Sequence, residues 1–242
     1  MPQDWDAHGQ ALMDYFRRGS SYYAIERDDG LIDIRDTGQY FTAYRSWPLL
    51  DKKVLSLAKG RVLDLGCGAG RHSLYLQNKG FNVTGIDSSP LAIEVCRSRG
   101  LKKASVADIG HLDYEPSSFD TILLMGNGFG LLGSEVRGRR LLKHWHPLLS
   151  KGGTIIAEAN NLDMSSSPIL LAYQQSNLKR GRMVGQLRIR IRYREFRTRW
   201  FDLLMASKED TKEIVQGSGW RVKKFIDGKG SYYGVVLQKE GD

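Results

Sequence analysis

The sequence predicts a doubly wound α/β fold on a mostly parallel sheet, and three observations predict it. From Arg61 to Ala159, short apolar runs alternate with stretches of helical length and pattern, which is the signature of strand–helix–strand units. Three glycines, Gly66, Gly68 and Gly70, crowd the turn between the first such strand and the first such helix. The run Phe119-Asp-Thr-Ile-Leu-Leu-Met125 is almost continuously apolar, as in a strand covered on both faces.

In chain order, residues 1–58 read as a helical, aromatic-rich extension or lid carrying Trp5, Tyr15, Phe16, Tyr22, Tyr23, Tyr40, Phe41, Tyr44 and Trp47. Residues 59–242 then form the main domain. Arg61–Leu65 is its first strand. Arg71–Asn78 is a helix ended by Gly80. Phe81–Ile86 is the second strand, and Pro90 opens the next helix at a favoured first-turn position. Lys103–Ala107 and Phe119–Met125 are the third and fourth strands. Ser134–Leu149 is a helix, and Gly153–Ala159 is the fifth strand after a Gly-Gly turn. The pattern then changes, and a β-rich insertion is expected at about 162–205. Within it Gly185–Phe196 alternates strictly, with Leu187, Ile189, Ile191 and Tyr193 on one face and Arg188, Arg190, Arg192 and Arg194 on the other. Trp200–Met205 reads as its neighbour. Ser207 caps a helix to Gln216, and Trp220–Ile226 and Ser231–Gln238 are two closing strands around Asp227-Gly-Lys-Gly230.

Composition narrows the function classes. No apolar run reaches the roughly 18 residues of a membrane span. The N-terminus lacks the basic and apolar regions of a secretory signal. Two cysteines, Cys67 and Cys96, do not make a disulfide framework, and a reducing cytoplasm fits best. The net charge of +9 is local. Between Lys179 and Arg199 stand nine basic residues against one acid, Glu195. His8, His72, His111, His144 and His146 show no ligand spacing, so no metal is expected.

The glycine turn points to a nucleotide-type ligand at the carboxyl end of the sheet. The spacing is G-x-G-x-G, preceded by Asp64, with Arg71 standing where a dinucleotide fingerprint has its third glycine. Asp87 ends the second strand, where a carboxylate accepts ribose hydroxyls of several cofactors. Asp108 follows the third strand. It reads either as a partner for an adenine amino group or as a solvated loop acid or cap.

Together these residues resemble the class I S-adenosylmethionine-dependent methyltransferases. Leu63-Asp-Leu-Gly-Cys-Gly-Ala-Gly-Arg71, Gly85-Ile-Asp-Ser-Ser-Pro90, Ala107-Asp-Ile109 and Phe119-Asp-Thr-Ile-Leu123 match that family's motifs in order over about residues 60–160. The resemblance implies a seven-stranded Rossmann-like sheet whose last two strands form an antiparallel hairpin within Val222–Gln238. It implies S-adenosyl-L-methionine as cofactor, with Gly66 and Gly68 at its methionine part and Asp64 near its amino group. Asp87 is expected at the ribose, and Asp108 with Ile109 at the adenine. Cys67, Gly70, Arg71, Ser88 and Gly126 complete the expected cofactor-binding set.

The loop Gly126-Asn-Gly-Phe-Gly130 follows the fourth strand, where the family places the methyl group. Asn127 and Phe129 are the candidate catalytic residues on the substrate side, or else shapers of a glycine-rich turn. Tyr22, Tyr23, Tyr40, Tyr44 and Trp47 read as a lid over the sulfonium, or as a packing layer. The expected reaction is in-line methyl transfer to oxygen or nitrogen of a small-molecule substrate, with acidic substrates among the candidates. Two alternatives stay open: an RNA or protein methyltransferase that binds through the basic strand Arg188–Arg199, and a non-catalytic S-adenosylmethionine-binding protein. The oligomeric state is not legible.

Overall fold

The structure, a computed structural model, describes residues 5–161 and 167–241. In chain order it holds α1 (Ala7–Arg18), β1 (Tyr22–Arg27), β2 (Ile32–Asp36), α2 (Leu49–Leu55), β3 (Arg61–Leu65), α3 (Arg71–Asn78), β4 (Asn82–Asp87), α4 (Pro90–Ser98), β5 (Ala104–Val106) and β6 (Phe119–Leu124). There follow α5 (Glu135–Trp145), β7 (Leu149–Asn160), α6 (Pro168–Lys179), β8 (Gln186–Tyr193), β9 (Phe196–Arg197), β10 (Phe201–Leu204), α7 (Lys208–Val215), β11 (Trp220–Asp227) and β12 (Tyr232–Lys239). A seven-stranded sheet runs in the order β11-β12-β7-β6-β3-β4-β5. The pairs β3/β4, β4/β5 and β6/β7 are parallel, whereas β7/β12 and β12/β11 are antiparallel. The expected fold is therefore present, closing hairpin included. A smaller sheet has the order β10-β8-β1-β2, with β9 on β8.

The chain divides into two compact units. The first comprises residues up to Trp47, Arg61–Leu112 and Arg188–Phe201. Here α1 buries Leu12 and Met13 against Ala69 of the glycine turn and Ala92 and Val95 of α4. A buried leucine of this kind contributes ~1.5–3 kcal/mol relative to an exposed one. Asp6 fixes the start of α1. Its Oδ1 accepts the Gly9 N–H at 3.0 Å, and its Oδ2 accepts the Ser89 hydroxyl at 2.9 Å. Ser89 in turn caps α4 by accepting the Ala92 N–H at 2.9 Å.

The second unit comprises Pro48–Gly60, Asp113–Leu187 and the residues from Asp202 onward. Ile122, Leu123 and Leu124 of β6 are wholly enclosed, as are Trp145 and Phe129. Trp220 joins them and donates its indole N–H to the Leu142 carbonyl at 2.9 Å. A buried indole needs such a partner. Ser207 caps α7 in a full capping box with Asp210.

Three sequence expectations are corrected. Residues 22–36 form a hairpin, not helix: Tyr22 to Glu26 of β1 pair with Asp36 to Ile32 of β2, across a turn where Gly30 has φ +88°. Aromatic and β-branched residues favour such a pleated surface. The insertion holds the expected strands, β8, β9 and β10, and in addition an unexpected helix, α6, entered through Pro168; residues 162–166 of that insertion lie outside the described residues. Finally, α5 stops at Trp145, a 3-10 turn spans His146–Leu148, and β7 begins at Leu149. Pro147 cannot donate the backbone hydrogen bond that continued helix needs.

Candidate functional site

The glycine turn of the first unit is held by strand β4. Gly66 and Cys67 both donate their N–H to the Ile86 carbonyl, each at 2.9 Å. Gly66, Gly68 and Gly70 have φ of +74°, +56° and +79°, a left-handed region that side chains disfavour. Gly70 opens α3 in that conformation. A Cβ at Gly68 would meet the Tyr40 ring at 3.6 Å, an ordinary contact, so it is the left-handed φ that calls for glycine there.

Asp87 is the hub of the turn. Its Oδ2 accepts the Gly68 N–H and its Oδ1 accepts the Ser89 N–H, both at 2.9 Å. Burial pushes its carboxyl above the usual range, and the N–H groups of Ser89, Gly68 and Ser88 pull it back down. Ser88 itself is exposed. Asp64 is buried beneath the turn and accepts the Ser73 hydroxyl at 2.6 Å. Burial raises its carboxyl as well. Cys67 turns its thiol down into the core, 3.8 Å from Cys96 Sγ, so only its backbone belongs to the ligand face. Asp108 is exposed and its Oδ1 accepts the Gly110 N–H at 2.7 Å, with half-buried Ile109 beside it.

Arg71 reaches the N-terminal segment. Its guanidinium donates to the Gln39 carbonyl at 3.2 Å and the Thr42 hydroxyl at 3.3 Å, and it lies 5.3 Å from the Trp47 ring centre. Trp47 packs edge-on against His72 at 4.8 Å, and Tyr44 stacks on Tyr75 at 4.4 Å. Residues 39–47 are thereby fastened to α3. Of the expected lid aromatics, Tyr40 stands over Gly68, whereas Tyr22 is exposed at the start of β1.

In the second unit, Gly126 is exposed with φ +63° and donates its N–H to Glu158 Oε2 at 2.6 Å. Glu158 is buried near the carboxyl end of β7. Asn127 also has φ +63°, rare for a non-glycine residue and often found at functional positions. Its Nδ2 lies 3.3 Å from Met205 Sδ, and its Oδ1 is buried with no partner, like Asn160 Oδ1. Phe129 corrects the expectation of a substrate-side ring. It is 0% exposed and fills the core. The loop's glycines partly serve packing too, since a Cβ at Gly130 would lie 2.7 Å from the Leu204 carbonyl oxygen.

Glu158 and Asn160 escaped the sequence reading because acids and amides at a strand end carry no pattern. Asp6 and His8 escaped it because their partners are distant in sequence. Among the described residues no group of three His, Cys, Asp or Glu side chains is placed to hold a metal, and no helix is long and apolar enough to cross a membrane.

Comparison with known proteins agrees with this architecture. Residues 62–153 match the profile of a methyltransferase domain. A crystal structure of an S-adenosylmethionine-dependent methyltransferase from Bacteroides fragilis, in complex with S-adenosyl-L-homocysteine, superposes with a TM-score of 0.85 at 26% identity, covering 99% of this chain and 97% of that one. Glycine/sarcosine N-methyltransferase of Aphanothece halophytica is 29% identical over 110 residues, 43% of this chain and 42% of that protein. A tRNA (uracil(54)-C(5))-methyltransferase of Pyrococcus horikoshii is 33% identical over 108 residues, 42% of this chain and 26% of that protein. These matches span less than half the length of either curated relative.

Proposed function

The chain belongs to the class I S-adenosylmethionine-dependent methyltransferases, and we propose that it methylates a small-molecule acceptor. The left-handed glycine turn and the Asp87 carboxylate suit the cofactor. The backbone of Gly66 and Gly68 takes its amino-acid part, Asp87 its ribose, and Asp108 with Ile109 its adenine. When bound, S-adenosylmethionine supplies a methyl group on a positively charged sulfur. The protein's own contribution is alignment. Asp87 fixes the Gly68 amide, and Asp6 holds α1 to the start of α4. Within the second unit, Asn127 and Asn160 carry buried side-chain carbonyl oxygens that lack a partner among the described residues and suit donor groups of a ligand.

The observation that carries the small-molecule reading is the state of the arginine strand. Arg190 makes a two-pronged ion pair with Glu26 at 2.8 and 2.9 Å, and Arg192 reaches the same carboxylate at 3.3 Å. Arg194 pairs with Asp14 at 2.9 Å, Arg182 with Asp202 at 2.8 Å, and Arg190 also lies 4.6 Å from the Trp200 ring centre. Much of the ladder is thus spent on internal acids, where a phosphate track needs a row of unpaired cations. Calorimetry with S-adenosylhomocysteine and NAD, followed by a screen of small acids, amines and phenols for S-adenosylhomocysteine release, tests the proposal. NAD binding without S-adenosylhomocysteine binding would overturn the cofactor reading. Release on RNA alone, with no small acceptor, would overturn the acceptor reading.

A further inference from the structure

His8, Tyr23 and Tyr40 form a cluster whose polar atoms have been given no role above. The His8 ring packs edge-on against Tyr23 at 5.4 Å and Tyr40 at 5.0 Å. The two phenol oxygens are 2.9 Å apart. That bond consumes one of their two O–H protons, and among the described residues neither hydroxyl has a further hydrogen-bond partner. His8 Nε2 is buried and has no hydrogen-bond partner among the described residues. Leaving such polar atoms buried and unpaired costs about 1–3 kcal/mol each, so they mark a place where something else bonds.

The place is defined by the Tyr40 ring, which is the nearest group to a Cβ built at Gly68. Gly68 is in turn tied to Asp87. The Tyr40 ring therefore sets the cluster beside Gly68, at the glycine turn. Burial lowers the His8 imidazole to about 4, so it is neutral and bonds without carrying charge. A ligand suited to a spare phenol O–H and a neutral imidazole nitrogen carries both a strong acceptor and a donor. A zwitterionic amino acid has both, as carboxylate and ammonium.

We propose that Tyr40 and His8 bind the amino-acid end of the cofactor, with Tyr23 orienting the Tyr40 hydroxyl. This rests on the cofactor reading above. The test compares S-adenosylhomocysteine with 5′-methylthioadenosine, which keeps the nucleoside and thioether but lacks the amino-acid end. Calorimetry on Tyr40→Phe and His8→Phe should show S-adenosylhomocysteine weakened about tenfold in each and 5′-methylthioadenosine unchanged within about twofold. Equal losses for both ligands, or none for either, would overturn the inference. If a variant does not fold, imidazole ¹⁵N spectra of the intact protein still decide. The His8 Nε2 signal should move with S-adenosylhomocysteine and stay with 5′-methylthioadenosine, and a signal indifferent to both refutes the assignment. Failure of the intact protein to bind S-adenosylhomocysteine would instead strike the cofactor reading itself.

Discussion

Removing the Asp87 carboxylate should cost most of the cofactor affinity while leaving the fold standing. The carboxylate holds Gly68 and Ser89 at 2.9 Å each, and each oxygen keeps a lone pair for a ribose hydroxyl. Hydrogen bonds to a charged group are worth ~1.5–3 kcal/mol apiece, and two that share one carboxylate do not add fully. A net loss of ~2.7 kcal/mol corresponds to S-adenosylhomocysteine binding about 100-fold more weakly in Asp87→Ala. Asp87→Asn keeps one acceptor oxygen and should lose about tenfold. Because burial already strains the Asp87 charge, losing it relieves desolvation and offsets part of the lost turn bonds, so the thermal midpoint should fall by only a few degrees. Titration calorimetry, with circular dichroism to verify folding, measures both. A folded Asp87→Ala that binds within about threefold of the parent would refute the reasoning.

Further expectations follow from other contacts. The buried His8 imidazole, facing the Asp6 carboxylate and the Tyr23 and Tyr40 rings, titrates at about 4 in the fold, against ~6.5 when unfolded. The unfolded chain thus binds more protons between those values, so this group's contribution to stability grows as pH rises from about 4 to about 6.5, by up to ~3 kcal/mol, and is level above. Urea midpoints across that window should show the slope, and His8→Phe should flatten it. Gly130→Ala brings a methyl group to 2.7 Å from a backbone oxygen and should cost ~1–3 kcal/mol in denaturant unfolding, with no cost if the loop shifts freely. The intact protein should bind RNA weakly and with a shallow salt slope. The pair Glu26→Gln and Asp14→Asn frees Arg190, Arg192 and Arg194 and should steepen that slope; a steep slope before mutation would contradict the internal pairing. The facing Cys96 thiol, and then burial, hold the Cys67 thiol in its protonated, unreactive form, so alkylation should wait for unfolding.

What was legible in the sequence was periodic or local. The glycine turn, the Pro90 helix start, the Ser207 cap and the apolar run of β6 each announce themselves within a few residues. The hairpin at 22–36 did not, because the strand that pairs with its other edge, β8, lies far along the chain, where Ala24 pairs with Arg192 and Arg27 with Ile189. The fate of the arginines was hidden for the same reason. Their alternation was visible, but Glu26 and Asp14 as partners were not. Phe129 misled because a ring in a glycine-rich loop reads equally as ligand contact or as core.

Asp6 couples two helix starts with one side chain, and the coupling orders how the molecule assembles. Ser89 and Leu91, which donate to Asp6 from the start of α4, lie 83 and 85 residues further along. During synthesis α1 leaves the ribosome before α4, yet its docking surface on α4 and two of the three bonds that Asp6 accepts do not exist until the β4–α4 segment has emerged. A helix made before its partner is therefore locked only after it, and a nascent chain halted before Ser89 should hold α1 open to protease.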